Sequence, residues 1–309
     1  MYTHGPCGLG AGDKVAADSA KQIVLLHGVV GSAKGVAPLQ AALARHFDVR
    51  TPNLVGHGGR LMPDEYNVDV LAEDVLAFLD DQKLSRPHIF GYSLGGYVGL
   101  RLAQRFPDRV ASIVTLATPA SFAGPTVRYM RRLFNADRLD QLDEARQAEL
   151  QAVHAPEKWR RVAEADERLM LDLRENPALR RPELQSIKHP VLLITGNREL
   201  IGGLDEAAFL RGHLPNVEMR VYAGKSHPIS YVPFDAVAEA AAEFCAAGRV
   251  RRGRKAAAGS IWLPVQDDGS DYRVERAKAT GLEAVQLAQA AYGRALGRAK
   301  SVARSLLRG

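Results

Sequence analysis

Apolar residues along this chain fall in short runs, and longer stretches of helical spacing separate them. KQIVLLHG (21–28) is a run of buried-strand type closed by His-Gly, and VAPLQAALARHF (36–47) repeats its apolar residues at helical intervals. FDVRTP gives a second strand, NLVGHGGR (53–60) a glycine-rich loop, and VDVLAEDVLAFLDDQKL (68–84) a helix with one apolar face. PHIFGYS then reads as strand, GGYVGLRLAQRF as helix and VASIVTLAT (110–118) as strand. Strands that alternate with helices predict a mostly parallel sheet covered on both faces.

The alternation stops near Pro119. From about 121 to 187 the pattern is helical and polar, and it returns to strand and helix with PVLLITGN (190–197), DEAAFLRGHL, VEMRVYAGKSH (217–227) and AVAEAAAEFC (236–245). The expected organisation is an α/β core over 21–120 and 188–248, interrupted by a helical cap over 121–187. Residues 1–20 read as irregular, 249–271 as a basic, small-residue linker, and 272–309 as a helix.

Composition narrows the class. The chain has 309 residues, 46% hydrophobic and 25% charged, and no apolar run approaches the roughly 18 residues of a membrane span. The first residues lack an apolar segment of signal-peptide type, so a cytoplasmic location is expected. Cys7 and Cys245 are too few for a disulfide framework or a thiolate metal site. The net charge of +6 is unevenly placed: thirteen Lys and Arg stand against five Asp and Glu after Gly248, which leaves the rest of the chain near neutral.

The candidate chemistry sits in FGYSLGGYVGL (90–100). A G-x-S-x-G turn between a strand and a helix projects its serine hydroxyl into the open, and glycines on either side let the two elements pack closely. Ser93 is therefore the candidate nucleophile. The helix that follows leaves the Leu94 N–H free toward developing negative charge. A second oxyanion donor is expected from HGVVGS (27–32), at Val29. A serine also needs a base to take its proton. Of nine histidines, His227 in AGKSHPIS directly follows the last core strand and precedes the last core helix. His27 and His57 lie in loops that glycine-rich turns explain. The orienting acid is expected after the preceding strand, at Glu199, with Asp205 nearer the next helix as the alternative.

The stretches LLHGVVGS, NLVGHGGR, GYSLGG, LLITGNRE and AGKSH, in this order across about 23–246, resemble those of the α/β-hydrolase fold superfamily. The resemblance implies a hydrolase with a serine, acid and histidine triad, a helical cap over its site, and no metal or organic cofactor. The acid is usually Asp in that superfamily, and the matching position here is Glu199. Relatives with an Asp nucleophile are excluded by Ser93. The expected activity is cleavage of a carboxylic ester or thioester through an acyl-enzyme. A C–C bond hydrolase or acyltransferase using the same three residues, or a non-catalytic binding protein working through its basic tail, are the alternatives.

Within the cap, Met130, Phe134 and Trp159 are candidates to roof an acyl pocket, or else ordinary helix-packing residues. The cap's basic and acidic residues are equal in number, which predicts a solvated, salt-bridged surface. In the tail, Leu296, Val302, Leu306 and Leu307 share one helical side and Arg294, Arg298, Lys300 and Arg304 the other. Such a helix suits packing on the chain's own body or a second copy in a homodimer. It also suits an anionic membrane, a granule surface or a protein partner. Nucleic acid is not expected, because no aromatic residues interleave with the arginines.

Overall fold

The computed structural model of the protein describes residues 21–122, 124–222, 227, 232–250 and 260–263. Strand β1 (Gln22–Leu26) leads through helix α1 (Ala37–Leu43) to β2 (Asp48–Arg50), and α2 (Val68–Asp81) leads to β3 (His88–Tyr92). Helix α3 (Leu94–Arg105) follows β3 with one residue between, and β4 (Ile113–Leu116) completes the first half. After five further helices come β5 (Val191–Gly196) and β6 (Val217–Tyr222), and one last strand, β7 (Ser260–Leu263). The seven strands lie in the order β2-β1-β3-β4-β5-β6-β7; all neighbours are parallel except β6 and β7.

The strand sequences explain why both faces are covered. In β1, Ile23 and Leu25 enter one apolar cluster with Phe90, Val114, Leu192 and Phe244, while Val24 and Leu26 enter the other with Leu71, Tyr97 and Leu193. Alternate residues of a strand point to opposite faces, so a continuous apolar run fits only a sheet buried on both sides. Helices α1 and α10 (Phe234–Ala247) pack on the first face. Helices α2, α3 and α9 (Leu204–His213) pack on the second. Helix α2 starts where its pattern predicts: the Asn67 side chain accepts hydrogen bonds from the N–H groups of Asp69 and Val70.

Between β4 and β5 run α4 (Gly124–Phe134), α5 (Ala136–Leu139), α6 (Glu144–His154), α7 (Trp159–Glu175) and α8 (Arg181–Ser186). Met130, Leu169, Met170 and Leu173 from this insertion are buried in the same cluster as Tyr97 of the core. Polar bonds reinforce the seat. Glu206 of α9 accepts the N–H groups of Ala120 and Ser121 and the Thr126 hydroxyl where the insertion begins. The Leu179 N–H donates to the fully buried Tyr97 hydroxyl at 3.0 Å where it ends.

One expectation needs correcting. The stretch 249–271 does not read as linker throughout, because Ser260–Leu263 pairs antiparallel with β6, with Arg220 opposite Trp262. The open edge of β6 offers unpaired backbone groups, and a four-residue run suffices to satisfy them. The basic, small-residue composition around that run hides it. The predicted irregular segment (1–20) and the predicted basic helix (272–309) lie outside the described residues. Among the described residues no helix is long and apolar enough to cross a membrane.

Tyr97→Phe should cost about 1–3 kcal/mol of unfolding free energy, because it leaves the buried Leu179 N–H without an acceptor. Urea titration of the two proteins would measure this; equal midpoints would show that another acceptor takes over.

Candidate active site

The turn from β3 into α3 is set by two missing side chains. A Cβ on Gly91 would lie 2.3 Å from the Gly95 backbone, and one on Gly95 would lie 2.5 Å from the Leu26 carbonyl oxygen. Glycine alone lets strand and helix approach this closely. Ser93 sits at the apex with φ 53° and ψ −120°, an unfavourable region for any residue with a Cβ. Its own N–H is held by the Leu116 carbonyl at 2.9 Å, so the turn is tied into the sheet. The Ser93 hydroxyl is buried and makes no hydrogen bond among the described residues. Leu94 opens helix α3, where backbone N–H groups lack helical acceptors.

His227 and Glu199 meet across the sheet's end. His227 Nδ1 lies 2.8 Å from Glu199 Oε2, both side chains being nearly fully buried. The other carboxylate oxygen accepts the Ile201 N–H at 2.7 Å, which fixes the carboxylate's orientation. A carboxylate accepts, so Nδ1 carries the hydrogen and Nε2 keeps its lone pair, as a base requires. The His227 ring stacks on Tyr92 with centroids 5.1 Å apart. Asp205 is exposed in the first turn of α9, where its charge suits the helix dipole.

Ser93, His227, Val29 and Phe134 border one cavity of about 160 Å3, together with Tyr92 and the turn after β1. Of the three candidate roof residues only Phe134 borders it. Met130 is buried in the core cluster, and Trp159 packs on Ala136 and Ala163. Met130 shares α4 with Phe134, while among the described residues none of α7 borders the cavity; helical spacing alone does not separate these two cases.

The turn after β1 is held from beneath. The Leu54 N–H donates to His27 Nε2 at 3.1 Å, so the hydrogen is on Nδ1, which donates to the Gly28 carbonyl at 2.8 Å. Burial and the neighbouring His57 push His27 down to about 3, so it stays neutral. The Gly31 N–H donates to the same carbonyl at 3.2 Å. Asn53 joins this turn to the glycine-rich loop by accepting the Ala33 N–H and donating to the Gly58 carbonyl, each at 2.7 Å.

A second buried histidine–carboxylate pair lies beside it. His57 Nε2 is 3.0 Å from Asp166 Oδ2, and both side chains are fully buried. Burial alone would lower the His57 pKa, but the charge and hydrogen bond of Asp166 raise it overall. Burial alone would raise the Asp166 pKa, and the charge and donors of His57, the Tyr66 hydroxyl and the Val30 N–H hold it down. Burial, then Asp166, push the Tyr66 phenol well up, so it remains a donor. His154, with its ring centroid 5.8 Å from that of His57, is lowered by burial and by His57. The glycine-rich-turn reading of His57 and His27 missed this network, because Asp166 lies 109 residues away and no local spacing announces it. Among the described residues no group of three or more His, Cys, Asp or Glu could hold a metal ion.

The family model described as the alpha/beta hydrolase fold matches residues 21–169. The chain has the α/β-hydrolase fold. It is 27% identical over 247 residues to the pimeloyl-[acyl-carrier protein] methyl ester esterase of Neisseria meningitidis, covering 72% of this chain and 91% of the relative. A protein of Wickerhamomyces anomalus named "Probable alcohol acetyltransferase" is 32% identical over 146 residues, 46% of this chain, and the match spans only 41% of that relative's length. Among solved structures, the enol-lactonase of Burkholderia xenovorans superposes with a TM-score of 0.57 at 26% identity, over 73% of this chain and 91% of the other.

Because the folded His57 pKa is raised above 6.5, its stabilisation is complete below that value and is lost as pH rises through the folded pKa. His57→Gln should therefore lower the thermal midpoint more at about pH 6 than at about pH 9. Thermal unfolding across that range reads the difference; an equal loss at both ends would mean that His57 is neutral in the fold.

Proposed function

We propose that the protein hydrolyses a carboxylic ester or thioester of a small acyl group through an acyl-enzyme on Ser93. The observation behind this reading is the buried His227–Glu199 pair at 2.8 Å, whose histidine borders the same cavity as Ser93, a residue with a strained backbone and a hydroxyl that makes no hydrogen bond among the described residues. In the reading, His227 Nε2 takes the hydroxyl proton as Ser93 Oγ bonds to the acyl carbon. The carbonyl oxygen becomes an oxyanion, met by the N–H groups of Val29 and Leu94. His227 then gives its proton to the departing alkoxide or thiolate. A water enters, loses its proton to His227 and attacks the acyl carbon; the serine recovers that proton and the acid is released. Glu199 stays ionised and stabilises the imidazolium in both halves.

Cavity size supports a small acyl portion. The cavity beside Ser93 has a volume of about 160 Å3. An ester-type substrate is in keeping with two of the relatives, named as an esterase and an enol-lactonase. The insertion over 121–187 is read as the cap that roofs the acyl group, with Phe134 as its contact residue.

Intact mass after incubation with a fluorophosphonate should show one adduct on the wild type and none on Ser93→Ala; an adduct that persists on Ser93→Ala would overturn the assignment of the nucleophile. Glu199→Gln should keep the fold and lower kcat by on the order of 10^3- to 10^4-fold, through loss of the correct tautomer and of the charge. On a series of p-nitrophenyl esters, kcat/KM should peak at short acyl chains of about four carbons and fall beyond them. A peak at long chains would contradict the small pocket.

A further inference from the structure

Val29 stands between two anchored peptides. On one side the Gly28 carbonyl is held by His27 Nδ1 and the Gly31 N–H, at 2.8 and 3.2 Å. A trans peptide is planar, so the Val29 N–H points away from those two donors. On the other side the Val30 N–H donates to Asp166 Oδ2 at 2.7 Å. Val30 itself has φ 48°, in the left-handed region where a β-branched residue is a genuine outlier. Something must hold it there.

The holder comes from the insertion. Asp166 belongs to α7, while its three hydrogen-bond donors belong to core loops: the Val30 N–H, His57 Nε2 at 3.0 Å and the Tyr66 hydroxyl at 2.6 Å. The Val30 side chain rests on the cluster of Ala136, Trp159 and Ala163, also from the insertion. The carboxylate is fully buried, so these bonds are charge-assisted, and those from the Val30 N–H and the Tyr66 hydroxyl are also short. Nothing in the acyl-transfer steps uses Asp166, His57 or Tyr66.

We propose that Asp166 is a positioning residue: by binding the Val30 N–H it holds the strained turn after β1 and so aims the neighbouring Val29 N–H at the acyl oxygen. His57 and Tyr66 fix the carboxylate for that purpose. This rests on the Ser93 acyl-enzyme reading, because it gives the Val29 N–H a target. It makes the insertion part of the catalytic geometry as well as a roof.

The test combines kinetics on a short p-nitrophenyl ester, fluorophosphonate labelling and thermal unfolding, for wild type, Asp166→Asn, Asp166→Glu, Val30→Gly and the double variant Asp166→Asn/Val30→Gly. Asp166→Asn should lower kcat about 10- to 100-fold with KM within about twofold, because a misaimed donor is felt in the transition state. A boronic acid that mimics the tetrahedral intermediate should lose affinity in step with kcat/KM. Glycine adopts φ 48° without strain, so adding Val30→Gly to Asp166→Asn should return part of the lost kcat, a gain that a purely structural role would not give. If Asp166→Asn does not fold, Asp166→Glu, which keeps the charge but shifts the carboxylate by one methylene, should show the same selective fall in kcat. A wild type that is labelled and folded variants that turn over at the wild-type kcat overturn this assignment alone. A wild type that takes no adduct overturns the Ser93 reading, and this assignment with it.

Discussion

The approach of α3 to β3 governs the rest of the site. Gly91 and Gly95 have no Cβ, so the helix begins within one residue of the strand and against the Leu26 carbonyl of the neighbouring strand. Ser93 takes up the angular change in its own backbone, at positive φ. Three consequences follow from this one constraint. The hydroxyl is lifted clear of the sheet, the Leu94 N–H is left at a helix start, and the turn after β1 comes to lie beside both. A fold that places reacting groups at the ends of parallel strands needs one such sharp turn, since a longer loop would let the serine drift.

Two buried carboxylate–histidine pairs occupy this end of the sheet, and their surroundings differ. Glu199 spends one oxygen on a backbone N–H and the other on His227, whose ring borders the cavity. Asp166 is enclosed by donors from three directions, and its histidine is enclosed too. A proton on His227 can be exchanged with groups in the cavity. A proton on His57 has His27, Tyr66 and His154 for neighbours, so its charge serves to compensate Asp166. On the proposed mechanism the same two chemical groups, a carboxylate and an imidazole, thus serve proton transfer in one place and support in the other. Access to the cavity makes the difference.

The strands and core helices were legible because their signals are local. Apolar runs ending in glycine marked β1 and β3, and helical spacing marked α2 and α3. That Ser93, Glu199 and His227 come together at one end of the sheet was legible because each follows a strand at a characteristic distance. Long-range pairing was not legible. His57 looked like a turn residue because its partner lies in a helix of the insertion. Met130 and Trp159 were left open between pocket and packing roles because an amphipathic helix advertises its apolar face without saying what it faces. The strand at Ser260–Leu263 was hidden because four residues among basic and small neighbours carry little periodicity, and only the free edge of β6 gives them a reason to pair.

On the proposed mechanism the insertion is where a new acyl specificity would arise, since Phe134 comes from it while Ser93, His227 and Glu199 come from the core. On the assignment proposed for Asp166, the two cannot vary independently. Helix α7 supplies the carboxylate that the Val30 N–H needs, and α5 and α7 supply the surface on which the Val30 side chain rests. Remodelling these helices to fit a larger acyl group would release a strained turn, and the oxyanion donor beside it would lose its aim. The Phe134 side chain is not among the groups that hold Val30, whereas its neighbours Arg131 and Asn135 bond Glu167, next to Asp166 on α7. Changes of substrate are therefore least costly in rate when they fall on Phe134 itself, and most costly when they move α7.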